Sequence, residues 1–169
     1  MRVYILTVVL SAGLVACSMA PLDPVAGKEK TDREGLTLSQ QQHLLTMINN
    51  LRETGCSCGD TYMPPAQPLS LHSQLTEAAT VHARDMAQNN HFAHRGTDGS
   101  RVGERLRRTG YSWSRVGENI AWGYAKVEAV FQGWRDSDGH CENMMAPGFV
   151  HLGAARQGSY WVTTFGREQ

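Results

Sequence analysis

The first seventeen residues constrain this chain more than any other feature. Arg2 supplies a positive charge, Val3 to Leu10 form an apolar run, and the small residues Ser11, Ala12 and Gly13 lead to Leu14-Val15-Ala16-Cys17. An apolar core this short cannot span a bilayer as a mature helix, so the segment reads as an export signal and not as part of the fold. A chain of 169 residues then has room for one domain with a tail. Loss of Arg2 leaves fifteen basic against sixteen acidic side chains, a net charge of −1. Such a domain has no basic field to attract a phosphate backbone, so nucleic acid is not an expected partner.

Leu14-Val15-Ala16-Cys17 resembles the lipobox of bacterial lipoproteins. The resemblance implies a signal peptide over residues 1–16 and acylation of Cys17, and two acyl chains already suffice for stable anchoring. Ser18, not Asp, follows the cysteine, which by similarity to lipoprotein sorting signals implies the outer membrane where a cell has two. Residues 17–38 carry Pro21, Pro24, Gly27 and Gly35 among scattered charges, with no apolar periodicity. They read as a flexible tether of roughly 25 Å. The domain itself is expected over residues 39–169.

Within it, Ser39-Gln40-Gln41-Gln42 fits a capping box, and Leu44, Leu45, Ile48 and Leu51 follow at helical spacing. Residues 55–68, with Cys56, Cys58, Gly59, Pro64, Pro65 and Pro68, read as a loop. A second helix is expected from about Ser73 to Asn89, with Leu75, Ala79, His82 and Met86 on one face. Asp98-Gly99-Ser100 turns into a short helix ending at Gly110. A fourth helix carries Val127, Val130, Phe131 and Trp134, and a short helical turn spans His140 to Met145. Arg115 to Ala121 alternates as a strand. Val150 to Gln157 and Tyr160 to Phe165 form a hairpin through Gly158-Ser159, a pair suited to a type II′ turn. The order reads as α+β, a small antiparallel sheet covered by helices.

Export puts Cys56, Cys58 and Cys141 in an oxidising compartment. Cys56 and Cys58 are too close in sequence to pair comfortably, so one of them bridges to Cys141. Closing that loop contributes about 4 kcal/mol in the chain-entropy model. The third cysteine is left over. Arg101, Arg105, Arg107 and Arg108 cluster either as a solvated helix face or, in a sharper reading, as a contact for anionic lipid headgroups.

Seven histidines invite a metal reading. His43 reads as solvated, and His72 and His151 have no motif around them. His82 reads as a core histidine bonded through one ring nitrogen. His91 and His94 have a spacing that one helical turn could present together. There is no HExxH and no G-x-S-x-G nucleophile elbow. His140 and Cys141, adjacent on a helix, point about 100° apart and do not form a thiol–imidazole pair by sequence alone.

Taken together, His91-Phe92-Ala93-His94, Asp98-Gly99-Ser100, Gly117-Glu118-Asn119-Ile120-Ala121, the run from Trp134 through Ser137, Gly139-His140-Cys141 and Asn143-Met144-Met145 to Pro147, and Tyr160 to Gly166 resemble, in order and spacing, the CAP (SCP/PR-1-like) domain in its bacterial form. The resemblance implies an α-β-α sandwich with a small central antiparallel sheet flanked by helices. It also implies a cleft lined by His94, Glu118 and His140, with Ser137 at the family's second acidic position. It further implies Cys58 as partner of Cys141, with Cys56 the alternative. The trio His94, Glu118 and His140 matches the three-ligand set of an open zinc site. It equally suits a His–Glu–His network that orders the cleft without metal.

Three functions follow in order of preference. The first is a binding module for a small or lipid-like envelope ligand. The second is a structural or interaction protein of the envelope, and the third a metal-dependent hydrolase. The sequence offers no assignable nucleophile, general base or oxyanion arrangement beyond the trio, which places catalysis last.

Overall fold

The computed structural model describes residues 35–169. The signal segment, Cys17 and the tether as far as Glu34 lie outside the described residues. Leu36 already packs on the core, and helix α1 (Leu38–Thr54) follows directly. Its cap is Thr37, two residues before the expected Ser39: Thr37 Oγ1 accepts from the Gln40 amide at 3.2 Å, and Gln40 Oε1 accepts from the Thr37 amide at 2.9 Å. Both Thr37-x-x-Gln40 and Ser39-x-x-Gln42 satisfy the capping pattern, and docking of Leu36 selects the earlier one.

The segment read as a loop contains a tight hairpin, β1 (Cys56–Cys58) with β2 (Thr61–Met63). Three-residue strands are too short to show alternation, so composition alone read them as loop. Next come β3 (Ser70–Leu71), α2 (Ser73–Asn89) and α3 (Val102–Arg108), then β4 (Trp113–Trp122). The chain continues through α4 (Val127–Arg135) and α5 (Asp138–Met145) to β5 (His151–Gln157) and β6 (Tyr160–Glu168). Gly158 has φ 58°, while Ser159 is not among the positive-φ residues. That combination fits the type II′ turn expected there.

The central sheet runs β3-β5-β6-β4. Its three long strands are antiparallel, and the two-residue β3 adds a parallel edge. Side chains alternate between its faces. On one face Ile120, Ala155 and Val162 meet Ala79, Ala83 and Met86 of α2. On the other, Ala121, Leu152, Ala154, Trp161 and Phe165 pack with Leu44 and Ile48 of α1 and with Val130, Trp134 and Met144 of α4 and α5. The result is an α-β-α sandwich. Gly153 permits the close approach of α2, because a Cβ there would lie 2.1 Å from the Leu75 carbonyl carbon. No helix among the described residues is long and apolar enough to cross a membrane.

β4 is an edge strand, and side chains blunt its free edge. The Trp134 indole donates to the Ile120 carbonyl at 3.3 Å, and the Asn143 amide donates to the Glu118 carbonyl at 3.3 Å. Both groups come from the α4–α5 layer.

Candidate functional site

Strand alternation divides the Glu118-Asn119 pair between the two layers. Glu118 shares the face of Ile120 and points to α2 and α3. Asn119 points the other way: its Nδ2 donates to the His140 carbonyl at 3.0 Å, and its Oδ1 accepts from Asn143 at 2.9 Å. Neighbouring residues on one strand thus fix two different parts of the cleft.

The Glu118 side chain is buried, and both of its oxygens are engaged. Oε2 accepts from Arg105 Nη2 at 2.7 Å, with both side chains 2 % exposed. Oε1 lies 2.9 Å from His94 Nδ1, whose side chain is 60 % exposed. A carboxylate only accepts, so Nδ1 donates and Nε2 is left without the proton when the ring is neutral. Arg105 also donates to the Ser100 carbonyl at 2.9 Å and the His94 carbonyl at 3.2 Å. One guanidinium therefore holds the carboxylate and the backbone that presents His94.

His82 is fully buried, with Nε2 3.8 Å from Glu118 Oε1. Neither of its ring nitrogens has a hydrogen bond of good geometry, in contrast to the bonded core histidine expected. Burial lowers its pKa; Glu118 and the Ala93 backbone favour the charged form but do not offset the desolvation. On the opposite layer His140 Nδ1 lies 3.0 Å from Ser137 Oγ. Burial, then the nearby His94, lowers the His140 pKa.

The chain around His91 and His94 forms bends instead of a helical turn. His91 Nε2 contacts the Arg95 carbonyl at 2.9 Å, while His94 turns to Glu118. The arginine cluster disperses as well. Arg105 enters the core, Arg107 stacks over Trp113 at 4.5 Å, Arg108 pairs with Asp98, and Arg101 lines a pocket. Arg101, Arg107 and Arg108 are exposed, in keeping with a solvated face, and Arg105 alone is buried. Arg105 was missed as a site residue because charge runs are ordinarily solvated; its buried neighbours Gly103 and Leu106 on α3 were the available signal.

An open pocket of about 390 Å³ is lined by His94, Arg95, Arg101, Val102 and Glu118. His140 and Ser137 lie outside that lining. Of the three expected ligands, Glu118 accepts from Arg105 through one oxygen and from His94 through the other. Among the described residues, the one group of three or more His, Cys, Asp or Glu donors lying within 4.8 Å of one another is Cys56, Cys58 and Cys141. His94 and His140 are each held through Nδ1, by Glu118 and by Ser137, and a carboxylate behind an imidazole is the usual partner of a metal-binding histidine.

Cys58 is bonded to Cys141 across 83 residues of chain, the pairing implied by the resemblance, and Cys56 is free. The bond ties the β1–β2 hairpin to α5, the helix that carries His140.

An α-β-α sandwich whose edge strand β4 carries Glu118, bonded to Arg105 and His94, defines a class of domain. The chain belongs to the CAP, or cysteine-rich secretory protein, family, whose model matches residues 45–165. It is 32% identical over 101 residues to the uncharacterized protein YkwD of Bacillus subtilis, a match covering 59% of this chain and 39% of that protein. It is 32% identical over 89 residues to the uncharacterized membrane protein YlbC of the same organism, covering 53% of this chain and 26% of that one. The matches thus span less than half the length of these curated relatives.

Among solved structures, an extracellular SCP-domain protein of Bacillus anthracis aligns with a TM-score of 0.62 at 25% identity, covering 79% of this chain and 44% of that one. An outer surface protein of Borrelia burgdorferi aligns at 0.68 and 19% identity, covering 79% and 96%. The latter likeness speaks to fold alone.

Proposed function

We propose that this protein is an envelope-anchored binding module that takes a small or lipid-like ligand with an anionic group in the pocket beside His94. The observation that carries the reading is the composition of that pocket. Arg95 and Arg101 line it, His94 presents its free edge to it, and the one carboxylate, Glu118, is already offset by Arg105. A concave site with a few convergent polar groups is the usual form of a small-ligand site. The one hydroxyl–imidazole pair nearby, Ser137 with His140, lies outside the lining of that pocket, which favours binding over hydrolysis there.

Anchoring through Cys17 belongs to the same proposal. It rests on the lipobox-like signal and agrees with the extracellular SCP-domain protein and the membrane-protein relative above. A tether of roughly 25 Å would keep the pocket near the membrane, so the ligand would be an envelope component. A Cys17→Ala form that retained full function in cells would break that link.

Native mass spectrometry of protein released gently from membranes tests the binding. An anionic small molecule or lipid is expected to co-purify with the wild type and to be lost from an Arg95→Ala/Arg101→Ala variant. Its absence from both, or equal retention by both, refutes the reading.

A second reading, a divalent ion such as zinc held between His94 and His140, is favoured by the anchoring of both rings through Nδ1. An ion bound only by the folded state must raise the melting temperature. A zinc-dependent rise lost in a His94→Ala/His140→Ala variant supports it, and an equal rise in that variant rejects it.

A further inference from the structure

The leftover cysteine is not remote from the disulfide. Cys56 Sγ lies 3.7 Å from Cys141 Sγ and 3.8 Å from Cys58 Sγ. Local structure explains this: Cys56 and Cys58 stand two residues apart on β1, so their side chains leave the same face of the strand. That face lies against α5, where Cys141 is fully buried and Met145 packs beside it. Gly59 allows the hairpin to sit this close, because any Cβ there would meet the Asp138 carboxylate at the start of α5.

We propose that Cys56, Cys58 and Cys141 form a thiol–disulfide exchange centre in which the hairpin can be clasped to α5 by either Cys58 or Cys56. The step needs no outside oxidant or reductant. The Cys56 thiol gives its proton to solvent, and its thiolate attacks Cys141 Sγ. A Cys56–Cys141 bond forms, the Cys58–Cys141 bond breaks, and Cys58 leaves as a thiolate that takes a proton from solvent. One disulfide and one thiol are present before and after.

Two features hold the exchange slow in the resting state. The nearly equal distances place Cys56 beside the bond, so a side-chain rotation must bring its sulfur in line with the Cys58–Cys141 axis. Burial also pushes the Cys56 thiol pKa up, against a smaller opposing effect of Arg135, so thiolate is scarce. The two linkages differ in what they show to solvent. Cys56 is half-buried whereas Cys58 is 1 % exposed. The exchange would therefore decide whether the protein presents a reactive thiol or conceals it.

Peptide mapping of the full-length protein tests the proposal. Samples incubated between pH 6 and 8.5 are acid-quenched, unfolded, capped with a maleimide and digested without reduction. The cap is expected on Cys56 at first and then on Cys58 as well, with an initial rate rising about tenfold per pH unit because thiolate is the attacking species. A cap that stays on Cys56 alone throughout overturns the proposal. So does a cap on Cys141, which would mean that Cys56 and Cys58 had paired. A Cys58→Ser protein is expected to oxidise in air to a Cys56–Cys141 disulfide with no free thiol. If that variant folds but keeps two free thiols, while Cys56→Ser forms its disulfide, the proposal fails; if it does not fold, the wild-type map decides.

Discussion

Two clusters on opposite sides of the central sheet are held together in opposite ways. On the cleft side, Glu118 is fixed by a buried guanidinium and an exposed imidazole, with the buried His82 at 3.8 Å. On the hairpin side, three sulfurs share one covalent bond. On α5, His140 and Cys141 are consecutive, yet the 100° step of the helix turns Cys141 to the sulfurs and His140 to Ser137. The first cluster depends on charge balance and should respond to acid. The second depends on a bond and should respond to reductant and to thiolate. One small domain thus carries two independent sensitivities, one on each side of its sheet.

The largest expected effect comes from breaking the charge balance. Arg105→Ala leaves the Glu118 carboxylate buried without its cation and should cost about 3 to 5 kcal/mol in chemical denaturation. Adding Glu118→Gln should recover part of that loss, because the uncompensated charge goes with it. If the double variant is no more stable than the single one, the pair is not coupled as described.

Removing the covalent clasp comes next. A Cys56→Ser/Cys58→Ser protein should lose about 2 to 4 kcal/mol. Its stability should keep the wild-type dependence on pH between 5 and 7, since no cleft group has changed. A changed dependence would show that the two clusters are not independent.

The acid response is smaller and has a definite sign. His82 and His140 have folded-state pKa values below the ordinary 6.5. Below that value the unfolded chain binds more protons than the folded one, so stability is full above about pH 6.5 and declines as pH falls toward the folded pKa values. Each such proton contributes at most about 1.4 kcal/mol per pH unit. His82→Gln should flatten the decline in denaturant titrations at successive pH values. An unaltered slope would remove His82 from the account.

The smallest stability effect is expected at His94. Its side chain is 60 % exposed, so His94→Ala should cost less than about 1 kcal/mol even though it contacts Glu118. A much larger loss would mean that the imidazole supports the fold as well as the cleft.

The residues made some of this legible and hid the rest. Long amphipathic helices showed plainly, and α2 ends where expected because Asn90 adopts φ 48° and stops it. The Gly158 turn and the antiparallel strands on either side were equally readable. The hairpin at Cys56 was not, nor was β3, since pieces of two or three residues carry no period. The segments that carry Glu118, His94 and His140 could be singled out by their resemblance to a family, but which of these side chains touch one another could not. Which oxygen meets which partner depends on Arg105, thirteen residues earlier on α3, and a charged residue in a basic run gives little sign that it will be buried. Leu36, just before the cap, likewise settled a choice between two capping patterns that sequence left equal.

The central claim is that Glu118 orients His94 by accepting its Nδ1 proton, so that Nε2 faces the cleft. Long-range proton–nitrogen NMR of the imidazole, above neutral pH, tests this most directly. The account predicts that neutral His94 carries its proton on Nδ1, and that the Glu118→Gln variant loses this preference. A wild-type His94 protonated on Nε2, or a tautomer indifferent to Glu118, would contradict it.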